Sequence, residues 1–403
     1  MKPPTPSPLR GRGLRFAIRR GWLGAALAML AIEAILVGLL LVEAFFFSWF
    51  GSPDPARDAI LATEVVRLSV ASDGEHGLAL VRFERGDVGR PADRLVMRYH
   101  AGGPAAGEPV PLAGSAPLEI AHSPVADLAV VGCEDGSLHL LSSAASRLEH
   151  RTAQPSKPGH LKQMVFSSDG TRLLTLDDVS INIWRLTAGG LVLDQVLSAR
   201  WVCCLAVPPN PHEIVVGTTT GEIEHWALDG SRGPRRLGQC QGPILAMACA
   251  ADGERVAAVD IEGTVHCCNL TSGQREWQQQ PLRYPMTASV VFAGNGDRVI
   301  AGFAAPHAPQ ANDLFTWDAE TGAVRARLEG HAGQVASLAS NGSGSLLSGD
   351  LSGSLRRWDL RSCAETWELT VPALDLLDRQ QALEQTVPSN PPRPSRAARR
   401  SRR

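Results

Sequence analysis

From residue 63 to residue 371 the chain alternates short apolar runs with turns built from Gly, Ser, Asn and Asp. Short apolar runs divided by such turns are the pattern of small antiparallel strands, not of helices. The clearest stretch is 330–360, GHAGQVASLASNGSGSLLSGDLSGSLRRWDL, which opens on Gly330-His331 and closes on Trp358-Asp359. The pattern repeats. A strand end followed by a polar turn recurs at Val70, Ile120, Phe166, Val207, Cys249, Phe292 and Leu338. A bulky residue closing the next pair of strands recurs at Tyr99, Leu141, Trp184, Trp226, Cys268, Trp317 and Trp358. Both series step by about 43 residues, with extra residues in the sixth copy at 304–311 (AAPHAPQA). Each copy has room for four strands. One such sheet cannot bury both of its faces, whereas a closed array of them can.

With its Gly-His opening and Trp-Asp close, residues 330–360 resemble a repeat of the WD-repeat β-propeller family. The resemblance implies an all-β fold, a seven-bladed β-propeller of four-stranded blades. Its structural repeat positions are Gly330, His331, Trp184, Trp226, Trp317, Asp318, Trp358 and Asp359. Only Trp317-Asp318 and Trp358-Asp359 keep the full pair, and only Gly330-His331 keeps Gly-His. Ser352 stands in the turn where the family carries Asp, so the family's buried Asp–His–Ser/Thr–Trp network is expected to be incomplete even in this copy. A second resemblance competes: Asn269–Trp277 and Asp318–Gly322 are similar to the strand-turn-strand of quinoprotein-type propellers, in which a Trp docks between blades. Ring closure stays open. Either 364–371 forms the last outer strand and faces alone close the ring, or residues near 59–62 pair with the last blade.

The N-terminus changes the picture. Residues 1–20 carry Lys2, Arg10, Arg12, Arg15, Arg19 and Arg20 and no acid. Residues 21–50 are apolar apart from Glu33 and Glu43, with Trp22 and Trp49 near the ends. As one helix that span covers roughly 40 Å, a bilayer with its interfacial layers. It therefore reads as an uncleaved transmembrane signal-anchor preceding the propeller. The basic flank sets the N-terminus in the cytoplasm and the propeller outside it, in the periplasm of a bacterial cell. Glu33 is a candidate polar contact with another membrane helix. The expected organisation is a basic segment 1–20, a membrane helix 21–50, a linker 51–62, the propeller 63–372 and a basic disordered tail 373–403.

Over 403 residues the net charge is −2, which gives no global polarity for specific nucleic-acid binding. The tail ends in Arg393, Arg396, Arg399, Arg400, Arg402 and Arg403, a candidate for anionic surfaces. Eight cysteines show no paired metal spacing. The adjacent pairs Cys203-Cys204 and Cys267-Cys268 are expected to point to opposite strand faces. His225 and His266 are read as outward strand residues in equivalent positions. Nucleophile, phosphate-loop and metalloprotease motifs are absent from the sequence. The expectation is a non-enzymatic interaction platform, or an extracytoplasmic subunit of a membrane assembly. It has protein partners, no cofactor and no catalytic or metal residues, and it contacts the bilayer through 21–50. The alternative is a quinoprotein-like propeller with a cofactor-binding or enzymatic role.

Overall fold

The structure, a computed structural model, describes residues 60–379 apart from 75, 86–92, 101–106, 113–115, 143–147, 154–159, 306–307, 341–343, 373–375 and 378. The expected membrane helix 21–50 with Glu33, both basic termini and most of the linker lie outside the described residues. Among the described residues no helix is long and apolar enough to cross a membrane.

The described residues form seven four-stranded antiparallel sheets, each built from four consecutive strands. Blade 1 holds β1 (Ile60–Val70), β2 (His76–Arg85), β3 (Asp93–His100) and β4 (Glu108–Pro109). Blade 2 holds β5 (Pro117–His122), β6 (Leu128–Cys133), β7 (Ser137–Ser142) and β8 (Leu148–Ala153). Blade 3 holds β9 (Gln163–Phe166), β10 (Arg172–Leu176), β11 (Ser180–Thr187) and β12 (Gly190–Ser198). Blade 4 holds β13 (Val202–Ala206), β14 (Glu213–Thr218), β15 (Glu222–Ala227) and β16 (Arg235–Gln239). Blade 5 holds β17 (Ile244–Cys249), β18 (Arg255–Asp260), β19 (Val265–Asn269) and β20 (Arg275–Gln279). Blade 6 holds β21 (Thr287–Ala293), β22 (Arg298–Ala304), β23 (Leu314–Asp318) and β24 (Val324–Leu328). Blade 7 holds β25 (Val335–Ser340), β26 (Ser345–Asp350), β27 (Ser354–Asp359) and β28 (Ala364–Thr370). The Pro-rich insertion of the sixth copy falls between β22 and β23 and contains a short 3-10 turn, Pro309–Asn312.

Sequence pattern follows position in the blade. Second strands such as β14, β18, β22 and β26 are buried at every residue after the first, because neighbouring blades cover both faces. Outer strands such as β16, β20 and β24 are mostly exposed, and their sequences are accordingly rich in Arg and Gln. First strands contact one another in turn, β1 to β5 to β9 and on to β25, which touches β1 again. They wall a central channel with a cavity of about 1030 Å³. In five of them one residue bulges out of register, at Val66, Leu118, Cys203, Leu245 and Ala336.

Two features join the blades. The first is a hydrogen bond passed around the channel wall. Ser69 Oγ accepts from the His122 N–H (2.9 Å), Gln163 Oε1 from Leu205 (2.7 Å), Ser289 Oγ from Leu338 (3.1 Å) and Ser337 Oγ from Leu68 (2.8 Å). In each case the acceptor lies one blade before the donor, and Ser337 to Leu68 carries the series across the closing seam. The second is apolar face packing. At the seam Val65, Leu68, Phe83 and Met97 of blade 1 join Leu347, Leu355 and Leu369 of blade 7, with Leu376 also buried there. Because β28 is the outer strand of blade 7 and β1 belongs to blade 1, the ring closes by faces and not by an exchanged strand.

The seam depends on Gly349. A Cβ there would lie 2.5 Å from Val65 Cγ1 and 2.9 Å from Val65 Cβ, against a β-branched side chain that cannot swing away. Overpacking of this kind costs about 1–3 kcal/mol. Gly349→Val is therefore expected to lower the unfolding free energy by that amount, read as a lower urea midpoint with the slope unchanged. Gly344→Val tests the specificity of the effect, because nothing lies within 4 Å of a Cβ at that turn, although its positive φ adds strain of its own.

Candidate interaction face

The repeat positions divide into buried struts and turn caps. Trp184, Trp317 and Trp358 lie on third strands and are each 2% exposed. Trp226 is only half-buried, and its indole N–H donates to Glu224 Oε2 at 2.9 Å. Asp318 and Asp359 cap the turns after their strands. Asp359 Oδ1 accepts from the Arg361 N–H at 2.7 Å. Asp318 accepts from the Thr321 N–H at 2.9 Å and pairs with Arg325 at 2.5 Å. The Arg325 hydrogen bond, with those from Thr321, holds its carboxyl far below the usual carboxylate range.

Blade 7 corrects an expectation. The buried network is complete, because its carboxylate is Asp350 at the end of β26 and not the residue at 352. His331 bridges Asp350 Oδ2 (2.8 Å) and Ser348 Oγ (2.5 Å), and the Trp358 indole N–H donates to the same Ser348 Oγ (2.8 Å). Ser352 supports the arrangement by donating its N–H and hydroxyl to Asp350 Oδ1. Burial alone would raise the Asp350 carboxyl, but hydrogen bonds from His331, the Ser354 N–H and Ser352 hold it below its ordinary value. Gly330 suits its position because its φ of 143° lies in the region that favours glycine. Blade 3 keeps a reduced version, in which the Trp184 indole donates to Thr175 Oγ1 at 3.1 Å.

Two further expectations give way. His225 is the partner of Val215 across its sheet, one residue before Trp226, whereas His266 pairs with Ala258, two residues before Cys268. That single-residue offset puts them on opposite sheet faces. His225 is half-buried against Glu213 (3.0 Å), and His266 is buried against Asp260 (2.8 Å). The bulge at Cys203 breaks strand alternation. Both thiols of Cys203-Cys204 then approach one carbonyl, Ile244 O, at 2.9 and 3.9 Å. All eight cysteines are free. Trp277 does dock between blades, donating its indole N–H to Ala319 O at 2.8 Å and packing where a Cβ on Gly322 would lie 2.7 Å from its ring.

The surface feature that sequence reading missed lies on one end of the ring. Ten large hydrophobic residues are exposed among those described. Five sit on the end where first strands begin: Val179, Trp201, Ile261, Tyr284 and Met286, exposed by 59, 59, 39, 64 and 68%. They belong to the turns and loops of blades 3 to 6, a continuous arc. Trp201 and Tyr284 have φ of 78° and 53°, conformations that cost a bulky residue about 1–2 kcal/mol. Each aromatic follows an exposed arginine, Arg200 and Arg283. Neighbouring loops brace this surface, with the Ala199 N–H on Val179 O, Thr219 on Trp201 O and Ile261 on Pro243 O at 2.8, 2.8 and 2.9 Å. Aromatic and arginine side chains held outward on rigid loops are the composition of protein-binding hot spots. The signal in the sequence was an Arg-aromatic pair placed in a turn, outside any strand pattern.

Ser348→Ala should leave His331 Nε2 and the Trp358 indole N–H without their shared partner and cost about 1–3 kcal/mol in chemical denaturation. His122 makes the fold sensitive to acid. Burial, helped by Arg98 and His76 and opposed by Asp73 and Asp127, pushes the His122 imidazole down to about 4. Near its unfolded value of about 6.5 the unfolded chain takes up a proton that the folded chain does not. Stability is thus expected to be full above that pH and to fall as pH drops toward 4. In His122→Gln that part of the slope should disappear.

Comparison with known proteins fits the geometry. Residues 322–359 match the family described as WD domain, G-beta repeat, a span that covers β24 to β27 and the network of blade 7. The chain is similar to the target of rapamycin complex subunit LST8 of Mus musculus, 26% identical over 110 residues, and to that of Bos taurus at the same identity. Those matches cover 27% of this chain and 34% of each relative, so the chain spans about a third of their length. It is also similar to the telomerase protein component 1 of Mus musculus, 22% identical over 227 residues, 46% of this chain and 8% of that protein. The fold is a seven-bladed propeller whose last blade carries a WD-type repeat.

Proposed function

We propose that this protein is a membrane-anchored, non-enzymatic interaction platform that binds a protein or peptide on the face bearing Trp201, Tyr284 and Met286. The observation that carries this reading is the strained, outward setting of two aromatics beside two arginines on a braced surface. Rigid anchors lose little entropy on binding, so their contacts contribute to affinity. Similarity to a protein named as a complex subunit supports the same reading.

Residues 21–50 anchor the platform in the bilayer with the propeller extracytoplasmic, and the basic tail meets anionic surfaces. These assignments rest on hydropathy, the flanking aromatics and the charge bias of residues 1–20. In such an arrangement the propeller serves as the outer subunit of a membrane assembly.

Co-purification of the full chain in mild detergent, with mass spectrometry, tests the face. Trp201→Ser with Tyr284→Ser is expected to lose the partner that the wild type retains, with melting unchanged. Retention of the same partner set by the double variant sinks the assignment. A C-terminal reporter active only in the cytoplasm would overturn the extracytoplasmic placement.

A further inference from the structure

Blade 5 has lost the buried network that blade 7 keeps, and something else occupies its place. The register fixes the correspondence. Ile244 pairs with Asp260 as Val335 pairs with Asp350, so Asp260 occupies the position of Asp350. Counting back from those first-strand residues, Cys240 falls where blade 7 has His331. Ala258 and Cys268 replace Ser348 and Trp358, which removes both the hydroxyl acceptor and the indole donor. His266 enters from the position of Arg356. The result is a thiol, a carboxylate and an imidazole, all buried, whose ligand atoms lie within 4.8 Å of one another.

Protein groups do not complete this cluster. His266 Nε2 is 2.8 Å from Asp260 Oδ2, and the other carboxylate oxygen accepts the Thr264 N–H at 2.9 Å. His266 Nδ1 is buried with no hydrogen-bond partner among the described residues, a cost of about 1–3 kcal/mol for an unsatisfied polar atom. Beside the trio lies a cavity of about 330 Å³, lined by His266 and by polar side chains including Glu262, Thr264, Gln278 and Gln280. A site with three protein donors and a polar cavity next to it can leave a fourth coordination position to water.

We propose that Cys240, Asp260 and His266 form a metal site for a borderline-soft divalent cation, zinc above others. One sulfur, one nitrogen and one oxygen donor suit tetrahedral zinc at about 2.0–2.3 Å, and a purely hard cation such as magnesium would not select a thiolate. Ligation moves the Cys240 thiol proton to solvent and the imidazole proton to the nitrogen that does not bind the metal. Zinc replaces the hydrogen bond between His266 and Asp260 with bonds to both. The cation thereby ties the loop after β16 to the second and third strands of blade 5.

The full chain, purified without a histidine tag and stripped with chelator, is titrated with zinc against a chromophoric competitor and separately with cobalt. One equivalent of zinc is expected to bind, and cobalt to give a thiolate charge-transfer band. Cys240→Ser should abolish the band and weaken zinc by more than about tenfold, the scale of ligand-shell changes. His266→Gln should weaken zinc similarly, while Cys363→Ser, in a turn of blade 7, should bind as the wild type does. Far-UV dichroism in excess chelator checks that each variant is folded, and the near-isosteric Cys240→Ser carries the test if His266→Gln is not. No zinc uptake by the wild type at micromolar concentration overturns the proposal. So does an undiminished affinity and cobalt band in Cys240→Ser.

Discussion

Every blade of this protein is a sheet with two apolar faces, and no blade can hide both by itself. That constraint organises the rest. It requires a closed ring, makes the second strands apolar almost throughout and leaves most polar side chains at the channel wall, the outer strands and the blade ends. It also explains why the closing seam is filled with buried apolar side chains. With no strand exchanged between first and last blades, the contact of Val65, Leu68 and Phe83 with Leu347, Leu355 and Leu369 holds the circle shut. Gly349 admits Val65, and Ser337 adds a hydrogen bond across the same junction.

Polar chemistry inside the blades is more variable than the packing around it. Blade 7 links Asp350, His331, Ser348 and Trp358 through one hydroxyl. Blade 3 keeps the Trp184–Thr175 bond and links Thr175 to Asp177 through Asn182, and blade 5 replaces three of the four residues. Packing tolerates such changes because a second-strand Ala, Val or Leu fills the wedge whether or not a polar network sits beneath it. Buried polar groups are less forgiving: with Cys240 in the place of the imidazole that partners Asp350 in blade 7, the remaining carboxylate of blade 5 needs a new partner. His266 is such a partner.

The period, the blade count and the third-strand anchors were legible in the sequence because they follow from spacing and hydrophobicity, and both survive divergence. Details set by one residue of register were not. The carboxylate of blade 7 lies two residues before the position that the pattern points to, because a turn containing Asp350, Ser352 and Ser354 offers several equivalent-looking polar positions. His225 and His266 looked alike until the sheet register placed them on opposite faces. The bulge that brings Cys203 and Cys204 together has no sequence signature at that position. The candidate face was missed for a different reason: Trp201 and Tyr284 lie outside the alternating pattern, and their exposure depends on backbone angles that hydropathy does not encode.

A ring closed by faces has a consequence for the order of events at the ribosome. The hydrogen bond from Leu68 to Ser337 joins residues 269 apart in the chain. Blades 2 to 6 can each dock on the blade before as they emerge, but the seam face of blade 1 waits until the seventh has been made. For most of synthesis the nascent arc thus carries two open apolar ends, a form that invites aggregation or a holding chaperone. The last strands to appear convert an open stack into a closed one, so a chain truncated before β25 would be left permanently in the vulnerable form.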